Sequence, residues 1–195
     1  RKKMNNQYSP SEFLKNIYSL VCTKLFFSQA RLIRRPVYIR GKRSIVGAKN
    51  LTIGRFCRFD LDGNKETLYI GENCQFGDNT HIVALNEVRI GNNVLIASKV
   101  FISDTSHGRY KGELQDNPQI PPKDRKLDSS KVVIGDNVWI GENVVILAGV
   151  VIGDGCIIGA NSVVTKSFGK NKIITGIPGN IIKEYDDITK RWRMI

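Results

Sequence analysis

From Ile134 onward an aliphatic side chain returns every sixth residue, at Ile134, Ile140, Ile146, Ile152, Ile158 and Val164, without a slip. A second series, Val138, Val144, Val150, Cys156 and Ser162, keeps small or β-branched residues at the same spacing. Helices repeat about every 3.6 residues and strand faces alternate about every 2, so neither alone accounts for six. Short strands joined by tight turns and stacked as a parallel β-solenoid do. The pattern begins weakly at Ile45 and Ile53, resumes at Ile70, Phe76 and Ile82, and again at Ile90, Ile96 and Ile102. The predicted fold is an all-β solenoid whose inward aliphatics form ladders, each contributing about 1.5–3 kcal/mol when fully buried.

The departures from the repeat are as informative. The step from Ile82 to Ile90 is eight residues, which predicts a bulged corner around Leu85 and Asn86. A longer excursion between Phe59 and Ile70 carries Asp60, Asp62 and Gly63. Residues 108–131 hold three prolines, many charges and no hydrophobic period. A loop of that length within a domain is usually functional, and this one leaves the repeat directly after His107, which predicts a flap over a site. Before the repeats, residues 9–30 read as a helix. Ser9 or Ser11 caps it, Pro10 sits in its first turn, and Phe13, Ile17, Leu20, Val21 and Leu25 form an apolar stripe. That stripe either packs on the solenoid end, covering an open sheet edge, or forms a basic amphipathic foot on an anionic membrane. A final helix is expected at 183–195, with Tyr185, Ile188 and Trp192 on one face. The domain plan is thus a basic helical segment at 1–40, a solenoid at 41–182 and a capping helix at 183–195.

With 30 Lys and Arg against 18 Asp and Glu, the chain carries a formal charge of +12, concentrated at Arg1–Arg43 and Lys166–Arg193. That excess favours anionic partners, but no nucleic-acid-binding motif accompanies it, and none is expected to be bound. Cys57, Cys74 and Cys156 occupy the small inward places of the repeat and read as core residues. No Cys/His ligand spacing is present, so no structural zinc is expected. Buried free thiols suit a reducing cytoplasm. The stretch IYSLVCTKLFF is interrupted by Lys24, lacks a signal-peptide cleavage pattern, and is too short to span a bilayer.

Three segments, IGNNVLIASKVFISDTSHG, VVIGDNVWIGENVVILAGVVIGDGCIIGANSVVTKS and TGIPGNIIK, resemble the hexapeptide-repeat acyltransferases, within the galactoside, maltose and polysaccharide O-acetyltransferase branch. The chain looks closest to bacterial O-antigen and capsule acetyltransferases. The resemblance spans roughly residues 68–183. It implies a left-handed parallel β-helix with three hexads per coil. Ile70, Ile90, Ile134 and Ile152 then share one face; Phe76, Ile96, Ile140 and Ile158 a second; Ile82, Ile102, Ile146 and Val164 a third. It also implies a cytoplasmic homotrimer, with sites between subunits, that moves acetyl from acetyl-CoA to a sugar hydroxyl of a surface glycan; the amphipathic foot at residues 9–30 would hold it at the inner membrane face. The competing expectations are an amino-sugar N-acetyltransferase and a non-catalytic β-helix scaffold.

The resemblance assigns catalysis to His107. A hydroxyl is a poor nucleophile at neutral pH, and a positioned imidazole removes its proton as it attacks the thioester carbon. The family reaction needs neither a metal nor an acyl-enzyme. The backbone N–H at Glu142 matches the donor for the developing oxyanion. His81, the only other histidine, and more weakly Asn86 and Asp104, are expected to line the acceptor site. Two histidines do not make the three-histidine metal site of the carbonic anhydrase relatives. The acetyl-CoA groove maps to Trp139, Glu142, Ala160, Thr165, Lys166, Asn180 and Lys183, with the lysines meeting phosphates. Asn180 stands where many relatives carry a basic residue. Trp139 fits the cofactor arm, a neighbouring chain or a corner shield.

Overall fold

The computed structural model describes residues 8–195. Arg1, Lys2 and Lys3, part of the basic start, lie outside the described residues. Short parallel strands form three sheets that wrap into a solenoid of about seven turns, the architecture of the left-handed β-helix. The ladders pair in the expected register. Ile70, Ile90, Ile134 and Ile152 are direct partners on one face. Phe76, Ile96, Ile140 and Ile158 follow on the second, and Ile82, Ile102, Ile146 and Val164 on the third. All twelve are buried.

The turns explain why six residues suffice for each side. Asn73, Asn93 and Asn137 sit at φ of 60°, 56° and 56°, a left-handed conformation that asparagine tolerates better than other side chains. Their amides stack along the edge, Asn50 to Asn73 at 2.7 Å, Asn73 to Asn93 at 3.3 Å and Asn93 to Asn137 at 3.2 Å. Sulfur fits the same economy. The thiols of Cys57, Cys74 and Cys156 donate to the carbonyls of Gly77, Gly91 and Gly169, each at 3.1 Å, in the neighbouring coil. Burial pushes the Cys57 thiol up to about 11, as expected of an inert core residue.

The first helical expectation needs correction in its bounds and in one of its two alternatives, the second altogether. The first helix, α1, spans Pro10–Phe26, with Ser9 capping it and Glu12 returning the bond in a capping box. It does cover the open edge of the first coil, but with the opposite face. Ser19 and Thr23 are buried, while Phe13, Ile17, Leu20, Val21 and Leu25 face outward. Thr23 Oγ1 accepts from Ile33 N at 2.9 Å, and Ser19 Oγ accepts from Arg35 N at 3.1 Å, so two hydroxyls satisfy backbone donors of the edge.

The second helix does not exist. Residues Asn180–Asp186 and Arg191–Met194 are antiparallel strands, added beyond Lys172–Thr175 on the second face. Tyr185 and Trp192 oppose each other across the hairpin, rings 5.3 Å apart. Their spacing of seven mimics two helical turns, but Asp186 ties a tight turn by accepting from Ile188 N and Thr189 N at 2.8 and 3.1 Å. Ile188, at its tip, is 94% exposed.

Candidate active site

The site residues are distributed along the prism edges. His107 lies where the chain leaves the third face. Residues Thr105–His107 pair antiparallel with Leu127–Ser129, so the 108–131 loop begins and ends as a two-stranded stem. His107 is exposed at the outer end of that stem, where it opens into the loop. Its backbone is held: Tyr110 Oη donates to the His107 carbonyl, and Arg125 Nη1 donates to Tyr110 Oη at 2.6 Å. The same guanidinium reaches the carbonyls of Ile120 at 2.8 Å and Pro118 at 3.1 Å, which draws the flap into a folded unit. Gly108 completes the arrangement. Its φ is +105°, and a Cβ there would lie 2.8 Å from Tyr110 Oη, so the residue after the histidine must be glycine. Sequence reasoning missed Tyr110 and Arg125. Nothing in an irregular loop marks which arginine folds inward.

Asp104 is fully buried at the corner below His107. Its carboxylate accepts from the N–H groups of Leu85, Asn86 and Glu87 at 3.1, 2.7 and 2.8 Å, and from Thr105 Oγ1 at 2.6 Å. Those amides belong to the two-residue bulge. An enlarged corner has lost its regular ladder partners, and one carboxylate supplies them. Asp104 and Asn86 are therefore adjacent, but Asp104 is committed to the backbone rather than aimed outward.

His81 opens the strand that ends before Asn86. Three extended steps carry the chain about 10 Å from His81 to Ala84 before the corner that holds Asn86, so within one chain His81 does not stand beside Asn86. Its Nε2 lies 3.0 Å from Asp60 Oδ2, and its ring packs on Phe101 at 5.2 Å. Asp60 also binds Arg58 Nε at 2.6 Å and Arg40 Nη1 at 3.2 Å. Burial raises the Asp60 pKa, but the bonds from Arg58 and His81 and the charges of Arg58 and Arg40 outweigh it and hold the carboxyl below its ordinary value. An ionised acceptor fixes the imidazole with Nε2–H donating and Nδ1 free of that bond. Asp60 was legible only as part of an excursion. Its outward place two residues from Arg58, in register with the His81 strand, reveals the cluster.

Glu142 and Ala160 stack at the edge between the second and third faces, with Asn161 N donating to the Glu142 carbonyl at 2.9 Å. A Cβ on Gly141 would lie 2.6 Å from Ala160 N, which shows how closely the coils approach. Along the preceding edge, side chains of the next coil cap such amides, as Asp136 Oδ1 does for Asn92 N at 2.7 Å. Ala160 has no such acceptor to offer Glu142 N–H. Glu142 itself pairs with Lys99 at 3.4 Å. Trp139 is half-exposed on the second face, between Leu95 and Ile157 in an outward apolar ladder. Thr165 and Lys166 follow the last strand of the third face, on the same edge as His107 but two coils on. Lys166 Nζ donates to Asn180 Oδ1 at 2.8 Å, which joins two expected groove residues. Lys183 lies on the terminal hairpin opposite Ile173. Among the described residues, no cluster of three His, Cys, Asp or Glu side chains is arranged to hold a metal ion.

Known proteins place this architecture. Residues 131–166 match the family model for bacterial transferase hexapeptide repeats. The chain is 42% identical over 191 residues to an Escherichia coli protein named "putative lipopolysaccharide biosynthesis O-acetyl transferase WbbJ", covering 97% of each. It is 41% identical over 125 residues to the galactoside O-acetyltransferase of the same organism, covering 64% of this chain and 58% of that one. Among solved structures, AntD, an N-acyltransferase from Bacillus cereus in complex with dTDP and 3-hydroxybutyryl-CoA, superposes with a TM-score of 0.68 at 25% identity, covering 95% of this chain and 93% of that one. The hexapeptide-repeat acetyltransferase VCA0836 from Vibrio cholerae, complexed with acetyl coenzyme A, gives a TM-score of 0.61 at 26% identity, covering 74% and 72%. Sequence match along nearly the whole length and the coil-by-coil architecture agree: the chain belongs to the hexapeptide-repeat acetyltransferase family and is an acyltransferase.

Proposed function

We propose that the protein transfers acetyl from acetyl-CoA to a sugar hydroxyl of a cell-surface polysaccharide, with His107 as general base. The observation that carries this reading is the exposed imidazole at the stem of a folded flap, its main chain fixed by Tyr110 and Arg125. In this reading the ring takes the proton of the attacking hydroxyl as the oxygen bonds to the thioester carbon. The tetrahedral oxyanion is met by the uncapped Glu142 N–H, and the proton passes to the departing CoA sulfur. Asp104 acts as a positioning residue that sets the Asn86 corner. Lys166 and Lys183 supply positive charge for the CoA phosphates, and Asn180 orients Lys166.

The same reading makes the enzyme a homotrimer. His107 and the Glu142–Ala160 column occupy different edges of one prism, and the His107 ring has no hydrogen-bond partner among the described residues. Packing copies side by side brings the histidine edge of one against the Glu142 edge of the next. The outward Leu95, Trp139 and Ile157 ladder gives that contact an apolar surface. Light scattering in solution should give the mass of three chains. Reliance on acetyl-CoA and three buried free thiols favour the cytoplasm.

A second reading, N-acylation of an amino sugar, is favoured by the likeness to AntD. Mild alkali separates the two. Acetyl-CoA is incubated with candidate glycans and with amino-sugar nucleotides, and products gaining one acetyl group are treated with dilute base. An O-acetyl ester is removed by that treatment, whereas an amide survives and would replace the first reading with the second.

A further inference from the structure

Helix α1 is built the wrong way round for a helix that merely caps a core. Its buried line is polar, with Ser19 and Thr23 each only 1% exposed. Its outward arc is apolar: Phe13, Leu14, Ile17, Leu20, Val21 and Leu25 are each between 44% and 72% exposed. Lys24, the one charge within that arc, folds back to the Ala30 carbonyl at 3.0 Å. Free-standing soluble proteins rarely leave so large an apolar face open.

The charge around the helix says what covers it. Residues 8–43 contain Lys15, Lys24, Arg31, Arg34, Arg35, Arg40, Lys42 and Arg43 against the single acid Glu12. A groove between α1 and the first coil is lined by Lys15, Arg35 and Arg55 with Tyr18, Phe56 and Glu12. Glu12 is already engaged by the N-cap. Arg35 Nε is buried there without a hydrogen-bond partner among the described residues. Packing two copies through this face would bring like charges together, so a second chain is the poorer occupant. A phospholipid surface offers both an apolar boundary and phosphate oxygens.

We propose that α1 is a membrane-docking helix, lying in the plane of an anionic bilayer with Phe13, Leu14, Ile17, Val21 and Leu25 inserted and the flanking lysines and arginines on the headgroups. It does not cross: among the described residues no helix is long and apolar enough to do so. Any cyclic oligomer presents its copies of α1 at one height along the axis, so their weak individual affinities multiply. The inference is independent of the acetyl-transfer reading.

The test is flotation of the full chain with vesicles of phosphatidylcholine alone or mixed with phosphatidylglycerol, at low and high salt. The wild type should partition onto the anionic vesicles at least tenfold more than onto the neutral ones, and less as salt rises. The double variant Ile17→Glu/Val21→Glu, altered only at exposed positions, should bind at least tenfold more weakly while eluting at the same size without lipid. If it melts lower, Leu14→Ser alone should still weaken partition severalfold. No binding by the wild type, unchanged binding by the variants, or a change in oligomer size on substitution each overturns the proposal. The last result would assign the face to another copy.

Discussion

Replacing Asp104 by Ala removes one carboxylate and leaves the N–H groups of Leu85, Asn86 and Glu87 without their acceptor. Hydrogen bonds to a charged group are worth about 1.5–3 kcal/mol each. The sum would overstate the loss, because the corner is half-exposed and water can enter once the side chain is gone. Breaking a buried charged cluster from one side typically costs about 3–5 kcal/mol, a large share of the ordinary folding free energy of about 5–15 kcal/mol. For a chain of this size the melting temperature should fall by about 6–20 °C. Asp104→Asn keeps one acceptor oxygen but turns an amide N–H₂ toward backbone donors, so it should fall between wild type and Asp104→Ala. Calorimetry reads the melt, and hydrogen exchange reads the three amides. A variant that melts within about 2 °C of wild type, with amides 85–87 still protected, would refute the corner-holding role. Activity lost without a stability change would return Asp104 to the direct acceptor contact that its motif suggested.

Other expectations follow from the same contacts. Gly108→Ala places a Cβ against Tyr110 at φ +105° and should cost about 1–3 kcal/mol, with turnover falling at least tenfold and acetyl-CoA affinity little changed in a titration. Bonds from Arg89 and Lys131 pull the Glu87 carboxyl down from 4.5 to about 2. A depressed folded-state pKa adds stability that is present above the unfolded value and lost as pH falls, here between 4.5 and about 2. The pair is solvent-accessible, so the loss should stay below about 1 kcal/mol; urea midpoints of wild type should drop across that window more than those of Glu87→Gln, and equal drops would refute it. Native protein treated with iodoacetamide at mildly alkaline pH should leave Cys57, Cys74 and Cys156 unmodified by mass spectrometry, since all three are buried and burial raises each thiol pKa.

The solenoid was legible because a six-residue spacing has few physical solutions, and the ladder partners from Ile70 to Val164 followed once the family resemblance supplied three hexads per coil. The bulged corner was visible in the step from Ile82 to Ile90, but its purpose was not. Asp104 lies eighteen residues from Asn86, and only the coil brings them together. The C-terminal end was misread, and of the two alternatives for α1 the packing of its apolar stripe failed. At 185–192 a spacing of seven serves a helix or a two-stranded turn equally, and the turn signal in Asp186–Lys190 decided it. In α1 the apolar stripe was correctly seen, yet stripe does not dictate side. The edge of the first coil offered unpaired N–H groups, and Ser19 and Thr23 could satisfy them where leucines could not.

The central claim is that the exposed His107 ring removes the proton of the attacking sugar hydroxyl. Single-turnover acetyl transfer by His107→Ala, with acetyl-CoA binding measured alongside, tests it most directly. The account predicts transfer slowed by about 10²–10⁴-fold with acetyl-CoA affinity and melting temperature unchanged. Transfer at the wild-type rate by a folded, acetyl-CoA-binding variant would contradict it.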